Sequence, residues 1–183
     1  MPEHLYDIVD FRGDRLFNGA VNIDWFGTDD SRTHEAASAF VFHGPAYHGV
    51  SQEDVGLSHG HRLQDTANFA RSFVRRCYGI EDQPFTLAIA GYGTGKSHLG
   101  LTLASLLQSP IDDSTDIILS GIDQADKPIG AEIRAIFGEA QQPCLVVALN
   151  GMKSFDLTTE VIRQLFKQVK IFNLDTRPLD ELR

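Results

Sequence analysis

Apolar residues recur along this chain with two periods, and the alternation between them predicts its architecture. From residue 61 the spacing is helical: Leu63, Ala67, Ala70, Phe73, Val74 and Cys77 fall on one stripe, with Gly79 as a stop. Phe85-Thr-Leu-Ala-Ile-Ala90, introduced by Pro84, is an apolar run of strand length. Helical spacing returns from Lys96 to Leu107, with Leu99, Leu103, Leu106 and Leu107 on one face and Pro110 as terminator. Ile117-Ile-Leu-Ser120 reads as a short strand interrupted by Gly121. Asp126-Lys-Pro128 opens a helix that turns Ile129, Ile133, Ile136 and Phe137 to one side, with Gly138 beyond it. Pro143-Cys-Leu-Val-Val-Ala-Leu149 has the unbroken apolar character of a buried parallel strand. Asp156 then caps a helix with Leu157, Val161, Ile162, Leu165, Phe166 and Val169 facing inward, and Lys167 and Lys170 near its negative end. Arg177 to Arg183 reads as the start of a further element.

Residues 1–56 follow a different pattern. Apolar residues flank Arg12-Gly13-Asp14 between Tyr6 and Phe17, and Val21, Ile23 and Trp25 alternate with polar neighbours after Asn18-Gly19. That predicts short strands joined by tight turns. Asp30-Ser31 caps a short helix through Ala39, and Phe40-Val-Phe42 reads as a buried segment. The expected fold is therefore α/β: a mostly parallel, P-loop-like sheet with flanking helices over 57–183, preceded by a small β-rich region over 1–56. The larger region is expected to be incomplete at its C-terminal end, because few residues follow the loop described next.

The candidate chemistry lies between the first long strand and its helix. Residues 90–97 read Ala-Gly-Tyr-Gly-Thr-Gly-Lys-Ser, which matches G-x-x-x-x-G-K-[ST] with Ala90 in place of the first glycine. Gly91, Gly93 and Gly95 permit dihedrals that let successive N–H groups turn inward around an anion. A helix beginning at this point adds its unpaired N–H groups and the positive end of its dipole. The cofactor-binding set is Ala90, Gly91, Tyr92, Gly93, Thr94, Gly95, Lys96, Ser97 and His98. Lys96, the catalytic candidate, reaches the β- and γ-phosphates; Ser97 ligates Mg²⁺; His98 lends its backbone N–H. A dinucleotide fingerprint would need glycine at position 96. No Asn-Lys-x-Asp guanine signature occurs, which favours ATP over GTP.

A hydrolysing site also needs an acid at the end of a neighbouring strand. The 143–149 run ends at Asn150-Gly151 instead, which leaves Asp123 as the candidate. Tyr47, His48 and Tyr92 are candidates to stack on adenine, with ordinary packing as the alternative. His43, His48, His59 and His61 match no zinc spacing. Arg71, Arg75 and Arg76 line the polar side of their helix, either as a solvated face or as a subunit or phosphate contact.

Ala90 to Leu99 resembles the loop of the large ATPases of BREX-type phage-defence and related DNA-modification systems. The His61-Arg-Leu-Gln-Asp65 and Val146-Val-Ala-Leu-Asn-Gly151 segments are similar too. Gly-Lys-Ser-His-Leu also resembles the AAA+ group of DnaA- and DnaC-like initiators and helicase loaders. The resemblance implies the N-terminal part of a larger Mg²⁺- and ATP-dependent ATPase that acts with other subunits in a DNA-linked assembly. It carries over only Lys96 on phosphate and Ser97 on metal, since the family's acidic strand and arginine finger have no match here. A nucleotide-dependent interaction module that binds ATP without hydrolysis and a small P-loop kinase or transferase are the alternatives.

Composition narrows the setting. With 42% hydrophobic and 22% charged residues the chain has the make-up of a globular protein. A net charge of −9 argues against wrapping nucleic acid over a wide surface, so any DNA association is expected to be indirect. Cys77 and Cys144 read as buried free thiols. No apolar stretch reaches membrane-spanning length, and a cytoplasmic protein without a membrane partner is expected.

Overall fold

Capping side chains set the starts of α1, α2 and α6. The computed structural model describes residues 4, 17, 19–45, 65–83, 85–89, 93–110, 112–140 and 142–180. Helix α1 spans Asp30–Ala39, and the Asp29 carboxylate accepts from the Arg32 N–H at 3.0 Å. Helix α2 spans Thr66–Cys77; Asp65 accepts from the backbone N–H of Asn68 at 2.8 Å and again from its side-chain amide. Helix α3 spans Lys96–Gln108, α4 Asp113–Ala125 and α5 Lys127–Ala140. Helix α6, Leu157–Ile171, starts at Asp156, whose carboxylate accepts from the Thr159 N–H at 2.8 Å. A short α7 follows at Arg177–Asp180. Gly79, at φ 69°, adopts the left-handed conformation that ends α2.

Helix α3 is the spine of the core. Leu103, Leu106 and Leu107 join Ala67, Ala70 and Val74 of α2, Ile118, Leu119 and Ile122 of α4, and Ile129, Ile133 and Phe137 of α5 in the larger cluster. Leu101 and Ala104 of α3 face a second cluster with Phe26 and Ala36. Ala37 and Phe42 belong to the larger cluster, so the segment around α1 packs on both. Two glycines mark where elements meet closely. A Cβ on Gly44 would overlap the Ala125 carbonyl at the end of α4, and one on Gly130 of α5 would overlap the Asp123 carboxylate of α4.

The expected α/β fold is not what forms. Among the described residues the architecture is all-helical, with no strand and no sheet. Residues 85–89 form no regular secondary structure, and Phe85, Leu87 and Ile89 are 75%, 67% and 69% exposed. Residues 142–150 form none either, and the Cys144 N–H donates to the Leu107 carbonyl of α3 at 2.9 Å. Strand periodicity sets which way side chains alternate; the ladder needs a partner, and none is joined to either run among the described residues.

Two other strand expectations fail on period. Ile117 to Ser120 lies inside α4, because Thr115, Ile118, Leu119 and Ile122 form a helical stripe once the window is widened across Gly121. Ile23–Trp25 is a single 3₁₀ turn, capped by the Asn22 side chain, which accepts from the Asp24 N–H at 3.0 Å. Gly138 falls within α5 rather than beyond it. Helix α6 is less buried than its stripe suggests, since Leu157 is 61% exposed and only Gln168 and Val169 are fully buried. Most of Tyr6–Phe17 lies outside the described residues.

Candidate functional site

Thr94 to His98 are the part of the glycine loop that the structure describes, together with Gly93; Ala90, Gly91 and Tyr92 lie outside the described residues, as do Tyr47, His48, His59 and His61. Gly93 and Gly95 have φ of 76° and 81°, the left-handed region that residues with a Cβ avoid. A Cβ added at either would meet nothing within 4 Å, so backbone conformation, not crowding, demands glycine there. Gly95 is the residue from which α3 starts, and no side chain caps that start. Lys96 and Ser97 are exposed in the first turn, with Lys96 Nζ 3.4 Å from the Thr94 hydroxyl. The chemistry of this donor set fits a phosphate group: left-handed glycines, an uncapped helix start, an ammonium and a hydroxyl converge on exposed backbone.

His98 anchors the first turn from behind. Its Nε2 donates to the Ala36 carbonyl of α1 at 2.6 Å, which fixes the tautomer of the neutral ring. Phe40 meets the imidazole edge-on with centroids 5.0 Å apart, and Phe17 lies 6.1 Å away on a tilted plane. Burial holds this imidazole below its usual pKa, against the opposing pull of the Ala36 carbonyl. Thus the loop's last residue is clamped to α1 by its side chain while its backbone belongs to the candidate phosphate site.

Asp123 is occupied elsewhere. Its carboxylate pairs with Arg134 of α5 at 2.7 Å and sits over Gly130, inside the α4–α5 contact. Asn150, at the end of the 142–150 run, instead holds a carboxylate from the start of the chain. Its Nδ2 donates to Asp24 Oδ2 at 3.0 Å, and Lys153 Nζ lies 2.6 Å from the same oxygen. Lys153 first, then Asn150, hold the Asp24 carboxyl below the usual range, with burial working against them. Asp24, Thr28, Asn150, Lys153, Ser154 and Glu160 border a cavity of about 410 Å³ that Phe26 and Phe155 also line. Sequence reasoning missed Asp24; its one local signal is the Asn22 side chain that shapes its turn.

The arginines of α2 settle into packing. Arg75 bridges Glu132 of α5 at 2.5 Å and Glu81 at 2.7 Å, while Arg76 donates to Thr86 at 2.6 Å and Gln83 at 3.0 Å. Arg71 approaches Glu132 at 3.9 Å. They are more than a bare solvated face: they tie α2 to α5 and to Thr86. Cys77 and Cys144 are both free thiols, but Cys77 is exposed and Cys144 half-buried, a correction to the expectation that both are buried. Among the described residues no helix is long and apolar enough to cross a membrane. No protein-family model, curated protein or solved structure matches the chain.

Proposed function

We propose that the chain binds the phosphates of Mg·ATP at residues 90–98, as part of an ATPase that works with other subunits in a DNA-linked assembly. The observation that carries the reading is the passage from Gly93 and Gly95, both left-handed, into the uncapped start of α3 with Lys96 and Ser97 exposed. Anion recognition of this kind relies on backbone N–H groups and a helix dipole, and neither depends on a sheet behind the loop. Lys96 supplies the charge for the β- and γ-phosphates, Ser97 a hydroxyl for Mg²⁺, and His98 a clamped backbone. The DNA-linked and defence setting rests on the resemblance of Ala90–Leu99 alone. A second reading, an ATP-bound switch that does not turn nucleotide over, draws on Asn150, which ends its run with an amide where hydrolysis calls for an acid.

Calorimetric titration of Mg·ATP into the protein and into Lys96→Ala tests the reading. The variant is expected to bind about a hundredfold more weakly, roughly 2.7 kcal/mol. Equal affinity in the two proteins overturns the phosphate-site assignment. Phosphate release on the same samples separates an ATPase from a switch.

A further inference from the structure

Helix α2 turns one face to the larger core, and the last residue on that face is a cysteine. Ala67, Ala70 and Val74 are fully buried there. Cys77 comes one helical turn after Val74 and two after Ala70, so its side chain leaves the helix on the same side. At the end of α2 the cover runs out, and Cys77 is exposed. Cys144, the only other cysteine, is half-buried and packs against that same core from the 142–150 run. Its backbone N–H donates to the Leu107 carbonyl of α3.

Tyr78 links the surroundings of the two thiols. It follows Cys77 in the chain, packs on the same core, and meets Phe137 of α5 edge-on at 5.7 Å. Its hydroxyl donates to the Gln142 carbonyl at 3.0 Å and interacts with the Cys144 thiol as well. Burial first, then the charge of Cys144, push the Cys77 thiol up, so the two sulfurs act on each other. Burial also pushes Cys144 up, against the Tyr78 hydrogen bond. Both thiols are therefore slow nucleophiles at neutral pH. That sets the rate of their oxidation and leaves its equilibrium to proximity.

We propose that Cys77 and Cys144 are a disulfide site, oxidised reversibly by small-molecule disulfides such as oxidised glutathione. The proposal stands apart from the Mg·ATP reading. The exposed Cys77, as thiolate, attacks one sulfur of the oxidant and releases one thiol, which leaves a mixed disulfide. Cys144 then attacks the Cys77 sulfur and releases the second thiol. The two cysteines give up two electrons and two protons; the oxidant takes both and becomes two thiols. The new bond closes a loop over residues 78–143, which includes α3, α4 and α5, and removes freedom from the unfolded chain.

The test equilibrates the full chain with mixtures of reduced and oxidised glutathione, folded and in urea, and reads the products by intact mass and peptide mapping. The folded protein is expected to lose two hydrogen atoms and stay monomeric, with Cys77 and Cys144 in one linked peptide pair. The effective concentration of the pair is expected to be at least tenfold higher in the folded protein than in urea. The melting temperature of the oxidised protein is expected to lie roughly 5–10 °C above that of the reduced one. Cys77→Ser is expected to carry one glutathione adduct at most and to show no such rise. Two glutathione adducts, a disulfide between molecules through Cys77, or thiols left unreacted at equilibrium overturn the proposal. An effective concentration no higher in the folded protein than in urea overturns it too.

Discussion

At the scale of single residues, His98 links the candidate site to the body of the protein and sets a pH dependence. Its ring is half-buried and donates to Ala36, and its folded pKa lies below the ordinary value of 6.5. A depressed folded pKa means the unfolded chain takes up the proton first as pH falls. The contribution of this group to stability is therefore complete above about 6.5 and is lost progressively as pH drops through the folded value. Thermal melts between pH 7.5 and 5.5 are expected to show a steeper loss of stability in the native protein than in His98→Gln, which keeps a donor for Ala36 but cannot titrate. Parallel pH curves for the two would remove His98 from this role. The proposed loop residues Lys96 and Ser97 have a contiguous signal in the sequence. The contact between Asp24 and Asn150 has none, since 126 positions separate the two and only the folded chain brings them together.

Elements divide along the same line between local and distant information. Helices announce themselves through caps and stops that lie within a few residues, as Asp65, Asp156 and Gly79 do. Asp65 satisfies both the Asn68 backbone N–H and its side-chain amide at the head of α2. Asp65→Ala is expected to cost about 1 kcal/mol, the usual effect of losing an N-cap. In a protein of this size that lowers the melting temperature by roughly 2–4 °C, measurable by calorimetry. Strands carry no comparable local signature, because their hydrogen bonds go to residues far along the chain. The runs at 85–89 and 142–150 have strand composition, yet the second packs on α3 and the first meets α2 only where Arg76 donates to Thr86 among the contacts described. The short apolar run at 117–120 shows the complementary ambiguity: four residues fit either period, and only the flanking Thr115 and Ile122 decide for a helix.

For the molecule as a whole, α3 is the element on which both core clusters depend, so the helix that starts at the glycine loop is also the one whose loss would unmake the fold. Anything that binds at its start in the folded state stabilises the entire protein, by an amount that grows with the logarithm of ligand concentration above Kd. The face of Leu99, Leu103, Leu106 and Leu107 was legible in the sequence; that Leu101 turns to a second cluster was not. The net charge of −9 has a separate consequence when set beside Phe85, Leu87 and Ile89. Those three side chains lie within five residues and face water, an apolar patch of the kind that recruits another like it. Charge repulsion between molecules opposes such pairing, and it fades as the isoelectric point near 5.1 is approached. The osmotic second virial coefficient, measured by light scattering, is expected to turn negative on titration from pH 8 toward 5, and to stay positive further down in Leu87→Gln, which removes apolar area without changing the charge. The concentration at which this protein can be handled is thus expected to fall with pH, as the negative charge that keeps Phe85, Leu87 and Ile89 of neighbouring molecules apart is titrated away.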